Sequence, residues 1–226
     1  MINEAAPQAE TGTDVPTLAA DGRATALESL FGRYHFPAGP RRILLAAATA
    51  FAERGFHATT TRDIAAGAGL SPAALYVYFR SKEEVLHQIA ASALDFTIEV
   101  AGTEAGRPGS PADRLAGLVQ VLTLWHTYNS QVAHVVLYQT GALSPPHLAD
   151  ITAKQREVGQ IVRQVIADGI STGDFDVPDP GAAAIAVLSL CLDVARWYRP
   201  GHRLTPQQLG DFNAVAALRI AGGRLA

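Results

Sequence analysis

The sequence predicts an all-α protein, and three observations carry that expectation. Four candidate helix starts place a capping residue directly before proline, at Ser71-Pro72, Ser110-Pro111, Asp179-Pro180 and Thr205-Pro206. Proline suits the first helical position because the N–H it lacks has no partner there, and the preceding side-chain oxygen caps a free donor. Stops are supplied by Gly55, Gly69, Gly106, Gly173, Gly201 and Gly222. Between these marks apolar residues recur at helical spacing, and no alternating run exceeds Phe175 to Val177. The marks define about nine helices.

Residues 1 to about 22 read as an unstructured tail rich in Ala, Gly, Pro and Thr. Leu27, Leu30, Phe31 and Tyr34 have helical spacing, so a short helix is expected before the breaker Pro37-Ala38-Gly39-Pro40. From Arg41, Ile43, Ala47, Ala50 and Phe51 form one face of a helix that ends near Gly55. Two short helices follow, Arg62 to Ala68 and Pro72 to Tyr78, separated by Gly69-Leu70-Ser71. A long helix starts at Lys82 and runs to near Glu104. Leu115, Leu118, Val119, Leu122 and Trp125 mark the next one, apolar nearly all round and therefore buried. Val158, Ile161, Val162, Val165 and Ile166 define a one-sided long helix. Ala182 to Ala195 is apolar on several faces, and the last helix, Pro206 to about Ala221, is amphipathic through Leu209, Phe212, Ala216 and Ile220.

Composition narrows the class. With 226 residues, 48% of them apolar and 17% charged, the chain can bury a sizeable core. Cys191 stands alone, which rules out an internal disulfide or a multi-cysteine metal site and suits a reducing cytoplasm. The longest uninterrupted apolar run, Ala182 to Leu192, is shorter than a membrane span requires, and Glu4 and Glu10 do not suit a signal peptide. A cytoplasmic protein with no membrane partner is expected. The net charge of −3 divides unevenly: −3 over residues 1–40, +2 over 41–90 and −2 over 91–226. A basic segment in an otherwise acidic chain suits salt-sensitive phosphate binding.

That segment holds the functional signal. Two short helices around a glycine turn have helix-turn-helix spacing. Ile64, Ala65 and Ala68 give the first an apolar face, and Leu75 and Phe79 give the second its match. The second helix would lay its N-terminal residues against base edges in a major groove. Ser71, Pro72, Ala73 and Ala74 stand there, and the alanine methyls can meet a thymine methyl. Arg62 is the candidate for reading a guanine, or else a phosphate contact or an ordinary solvated residue. Arg42, Thr60, Thr61, Tyr78 and Lys82 are candidate DNA contacts, and Tyr76 either packs or donates to phosphate. A lysine in a helix's first turn opposes the helix dipole, so Lys82 is expected to serve a phosphate.

The run from Arg42 to Leu86 resembles the DNA-binding domain of the tetracycline-repressor (TetR) family of bacterial transcription regulators. Ala48, Phe51, Gly55, Thr60, Thr61, Ile64, Ala65, Ala68, Gly69, Leu70, Ser71, Leu75, Tyr76, Phe79, Lys82 and Glu83 carry the likeness. The resemblance implies three parts: an N-terminal extension (1–38), a helix-turn-helix domain (39–85), and a helical ligand-binding and dimerisation domain (86–226). It also implies a homodimer on a palindromic double-stranded operator, controlled by a small-molecule effector.

In the C-terminal half Trp125, His126, Tyr128, His134, Tyr138, Gln139, Arg163 and Arg196 are candidate ligand contacts among aliphatic residues. Taken singly, each histidine reads first as an ordinary core residue and only second as a ligand contact. Two terminal helices with excess apolar surface suit a four-helix dimer contact through Leu188, Leu192, Trp197, Phe212, Ala216 and Ile220. The stretches HVVLYQ (134–139) and WYRPG (197–201), with Gln155-Arg156, resemble the branch that regulates fatty-acid, sterol or aromatic-acid catabolism. That likeness implies an effector of acyl-CoA type. Two other readings are a constitutive or activating regulator and an enzyme acting on an acyl-CoA. No GxSxG elbow, CxxC pair, phosphate loop or HExxH motif supports catalysis, a cofactor or a metal.

Overall fold

The computed structural model describes residues 36–199 and 201–223. The tail and the helix expected over Leu27 to Tyr34 lie outside the described residues. Among them are nine α-helices and no strand: α1 (Ala38–Arg54), α2 (Thr61–Gly67), α3 (Pro72–Tyr78), α4 (Lys82–Gly106), α5 (Pro111–Tyr128), α6 (Ser130–Tyr138), α7 (Pro145–Thr172), α8 (Pro180–Trp197) and α9 (Pro206–Ile220). One 3₁₀ turn, Thr140–Ala142, joins α6 to α7.

The cap signals operate as the sequence implies. Ser71, Ser110 and Thr205 each accept a hydrogen bond from the backbone three residues on, and Asp179 accepts from the N–H groups of Gly181 and Ala182. Elsewhere the structure differs. Pro37 to Pro40 is no breaker, because α1 already begins at Ala38 and Pro40 occupies its first turn. The N–H groups there lack intrahelical acceptors, so proline removes nothing. The one-sided helix around Val158 begins far upstream, at Pro145. Ser144-Pro145 has the cap-proline signature, but Ser144 makes no side-chain cap; its backbone N–H donates instead to Glu83 Oε1 at 2.8 Å.

Helices α1 to α3 form a small head around Phe51, Ile64, Leu75 and Phe79, all buried. This core continues without a break through α4 into the body, where Leu115, Leu118, Leu122, Val162 and Ile166 are buried. Along α4 and α7 a ladder of polar pairs runs in one chain direction. Glu83 pairs with His147 at 2.8 Å, His87 with Asp150 at 2.8 Å, and Asp95 with Lys154. The rings of His87 and His147 stack at 3.9 Å. Helix α4, which runs from the head into the body, is thereby pinned to α7 at three levels.

Helix α9 packs chiefly on α5, and buried Asn213 ties it down, its Nδ2 within 3.3 Å of Thr123 Oγ1 and of the Leu190 carbonyl. Helix α8 corrects the reading of Ala182 to Leu192. The helix continues past Asp193 to Trp197, and its 18 residues with mean hydropathy 1.3 are long and apolar enough to cross a membrane. It packs against α5, α6, α7 and α9 along one face, where Ala183, Val187, Cys191 and Val194 are buried, and 33% of the helix is buried in all.

Gly169 in α7 lies against the buried Phe175 ring, and a Cβ there would fall 2.1 Å from a ring carbon. Gly169→Ala is expected to destabilise the fold by about 1–3 kcal/mol through overpacking. Urea denaturation checks this, and Gly159→Ala, where a Cβ meets open space, is the control.

Candidate DNA-binding head and effector cavity

The turn between α2 and α3 is built from glycine's freedom at one position. Gly69 has φ +64, which lets the Leu70 N–H return to the Ala65 carbonyl at 2.8 Å. Arg42 of α1 donates from Nη2 to the Gly69 carbonyl at 3.3 Å. Leu75 and Phe79 point inward, and Ser71 caps α3 on the Ala74 N–H at 3.2 Å. Ser71, Pro72, Ala73, Tyr76, Val77 and Tyr78 are therefore exposed and Ala74 is half-buried.

Thr60 caps α2 in a reciprocal box with Asp63. Its hydroxyl accepts from the Asp63 N–H at 3.2 Å and donates to Oδ2 at 2.8 Å, while its own N–H donates to Oδ2 at 2.8 Å. These bonds, the backbone one foremost, hold the Asp63 carboxyl below its usual range, with Arg54 adding at 3.8 Å. The Thr60 hydroxyl is thus spent inside the cap. Thr61 Oγ1 and the Tyr76 hydroxyl are 3.2 Å apart and join α2 to α3 on the exposed face. Arg62 is exposed, and its guanidinium has no partner among the described residues. The Tyr78 ring lies over Gly39 at the start of α1.

Two residues change the picture drawn from sequence. Lys82 does not extend toward a phosphate. Its ammonium donates to the carbonyls of Phe56 at 2.7 Å and Thr59 at 2.8 Å and lies 4.3 Å from the centre of the Phe56 ring. The dipole mismatch expected of a first-turn lysine is offset by these two acceptors in the loop before α2. Val77, 77% exposed, is the residue that sequence reading missed. Leu75 and Phe79 fix the inner face, and Val77 stands about 200° from each along a helix, so the spacing already placed it outward.

In the body an apolar cavity of about 180 Å³ is lined by α4 to α8. Aliphatic side chains of all five helices form its wall, among them Leu94, Leu122, Val136, Val158 and Leu188. Thr97, Trp125, His126 and Gln155 bring the polar atoms. His126 Nδ1 is 2.7 Å from the Leu122 carbonyl, which can only accept, so Nδ1 carries the proton and Nε2 is left as an acceptor. Burial pushes its pKa down to about 4, so the ring is neutral at pH 7. Burial likewise pushes the Cys191 thiol up to about 12, which makes it an inert core residue.

Of the eight ligand candidates, only Trp125 and His126 line this cavity. Tyr128 and His134 face a separate polar cleft. Tyr138 is exposed, with its ring packed on His134 at 4.7 Å. Arg163 is exposed on α7, and Arg196 pairs with Asp193 at 2.7 Å. Gln139 does something else: its Oε1 accepts from the Phe56 N–H at 2.8 Å, so it joins the end of α6 to the head. Helical spacing alone could not separate a residue that lines a cavity from one that faces the neighbouring domain. The dimer candidates divide too. Leu188 and Leu192 line the cavity, Ile220 packs on the core and Ala216 is half-buried. Phe212 (65% exposed) and Trp197 do lie on the surface, with Ile185 (70%) and Val215 beside them in the sequence of the same two helices.

A capped helix-turn-helix head that presents an exposed arginine, joined to a helical body with an apolar cavity, defines a DNA-binding transcription regulator. Residues 43–89 match the family described as bacterial regulatory proteins, tetR family, and residues 108–221 match the tetracyclin repressor-like C-terminal domain. The HTH-type transcriptional repressor KstR2 of Mycobacterium tuberculosis is 34% identical over 176 residues, 75% of this chain and 86% of that protein. A tetR-family regulatory protein from Rhodococcus RHA1 is 32% identical, with a TM-score of 0.80 over 84% of this chain and 100% of its own. AibR, solved with isovaleryl coenzyme A and operator DNA, shares the fold at 24% identity, with a TM-score of 0.74 over 82% of this chain and all of its own. The chain belongs to the TetR family.

Lys82 and His126 each carry a prediction. Lys82→Met keeps the packing on Phe56 but orphans two carbonyls. It should lower stability by about 1–3 kcal/mol in chemical denaturation and leave the salt dependence of DNA binding unchanged. A salt slope flattened by about one unit would mark Lys82 as a phosphate contact after all. For His126 the folded pKa lies below the unfolded 6.5, so protons favour the unfolded chain. Its contribution is fully present above pH 6.5 and is lost as pH falls towards 4, roughly 3 kcal/mol over that window. His126→Gln should flatten the stability profile between about pH 6.5 and 4.5, measured by urea titration at each pH.

Proposed function

We propose that this regulator is a repressor that binds a palindromic operator as a homodimer and is released by an acyl-CoA thioester. The observation that carries the reading is the placement of α6. Four of its residues, Val132, Ala133, Val136 and Leu137, line the apolar cavity, and Gln139 at its end holds the head through the Phe56 N–H. A ligand that needs α6 to shift must disturb that grip, and an effector acts only by preferring one of two states. Residues 39–85 act as the DNA-binding unit and 86–226 as the effector and dimer unit, in the cytoplasm where the operator is.

The cavity's size sets the class of acyl group. At about 30 Å³ per water, 180 Å³ equals roughly six waters, which matches a short acyl chain. Gln155 at the rim can donate to a thioester carbonyl, while no cation lines the wall, so the coenzyme phosphates stay outside near exposed Arg156 and Arg163 of α7. AibR's complex with isovaleryl coenzyme A and operator DNA supports this reading, as does the repressor KstR2 at 34% identity. Exposed Ile185, Trp197, Phe212 and Val215 on α8 and α9 support a dimer, since such side chains gain by mutual burial. At the operator, Arg62, Thr61, Pro72, Ala73, Tyr76 and Val77 meet the DNA.

Fluorescence anisotropy with an operator selected from random DNA tests the reading. Arg62→Ala should cost about 1–3 kcal/mol of operator affinity. Short acyl-CoA thioesters, isovaleryl-CoA among them, should weaken wild-type binding at least about tenfold, equivalent to 1.4 kcal/mol. They should have no effect on Ala133→Trp, which fills the cavity. Unchanged affinity across acetyl- to octanoyl-CoA would point to a constitutive regulator, and consumption of the thioester would point to an enzyme.

A further inference from the structure

The second cavity in the molecule is polar and lies between the head and the body. It is a cleft of about 370 Å³, bounded by the last turn of α1, the elbow between α5 and α6, and the end of α8. Glu53, Tyr128, Ser130, Gln131, His134 and Arg199 converge on it. The side chains of Glu53, Tyr128, Ser130 and Gln131 make no hydrogen bond or ion pair among the described residues, and His134 makes only its ring contact with Tyr138. Arg199 commits Nη1 to the Tyr198 carbonyl at 2.7 Å and keeps its other donors.

Asn129, also on this cleft, adds an independent sign. It is buried, and its Nδ2 donates to the Trp125 carbonyl at 3.0 Å, which fixes the amide's orientation. Its Oδ1 is a buried acceptor without a partner. Leaving such an atom unpaired is unfavourable, and a donor brought by a ligand would relieve it. The cleft and the apolar cavity use different faces of the same elbow. Trp125, His126, Val132 and Ala133 face the cavity, while Tyr128, Ser130, Gln131 and His134 face the cleft.

We infer that this cleft is a second ligand site, built for a small zwitterion of the α-amino-acid class. The two charged groups argue for that chemistry: the Glu53 carboxylate from the head takes an ammonium, and the Arg199 guanidinium from the body takes a carboxylate. Ser130, Gln131, Tyr128 and His134 are neutral or amphoteric partners for a polar side chain between those ends. At about 30 Å³ per water the cleft equals roughly a dozen waters, enough for a molecule of about ten heavy atoms. Because Glu53 belongs to α1 and Arg199 follows α8, the bound molecule spans head and body. Its occupancy restrains the head and so changes operator affinity independently of the apolar cavity.

The inference stands apart from the thioester reading, and its test needs neither a thioester nor DNA. The full-length protein is titrated calorimetrically with each of the twenty proteinogenic L-amino acids in turn. At least one should bind with a Kd below about 1 mM, or −4.1 kcal/mol. Glu53→Gln and Arg199→Gln should each weaken that amino acid at least tenfold while melting like the parent. Absence of binding by all twenty would overturn the inference. So would binding that survives either charge-removing substitution.

Discussion

The peptide unit at Phe56 is held from both sides, and the arrangement of head on body depends on it. Gln139 of α6 takes its N–H, and Lys82 of α4 takes its carbonyl together with that of Thr59. Three elements meet there: the loop that carries the α2 cap, the long helix α4 and a wall of the apolar cavity. Thr59 completes the junction from within, its buried hydroxyl donating to the Gly55 carbonyl at 2.8 Å and lying 3.2 Å from that of Ala50. Charge-assisted bonds of the Lys82 kind are worth more than neutral ones, roughly 1.5–3 kcal/mol each. They fix where the head points more firmly than nondirectional packing could.

Packing supplies stability, and these polar grips supply orientation. One apolar core runs from Ile43 in α1 to Ala217 in α9, so head and body do not separate at low cost. Within it, the α4–α7 ladder of Glu83–His147, His87–Asp150 and Asp95–Lys154 keeps α4 in register with the body. A helix pinned at intervals moves as a unit. On the proposed mechanism, displacement of α6 would reach α2 and α3 through the loop at residues 55–59 rather than being absorbed along α4.

Much of this was legible in the sequence. Cap-proline pairs, glycine stops and apolar spacing gave the helices, because each is a local consequence of backbone hydrogen bonding. The head was legible in the same way, from Leu75 and Phe79 facing Ile64 and Ala65 across a glycine turn. Partners at long sequence separation were not. Nothing local distinguishes a lysine that reaches DNA from one that reaches a carbonyl 26 residues back. Gln139 likewise has the spacing of a cavity residue but faces Phe56, 83 residues away. Leu188 and Leu192 were taken for dimer contacts because an apolar helix in isolation does not say which of its faces meets a void.

On the proposed mechanism, filling the cavity loosens the head by breaking the hold on Phe56. Hydrogen–deuterium exchange at the Phe56 amide measures it directly, in the operator-bound protein and in protein saturated with an effector that releases operator. The account predicts a well-protected amide that exchanges at least about tenfold faster once the effector binds, a local opening easier by 1.4 kcal/mol or more. An effector that empties the operator while leaving Phe56 protection unchanged would contradict it.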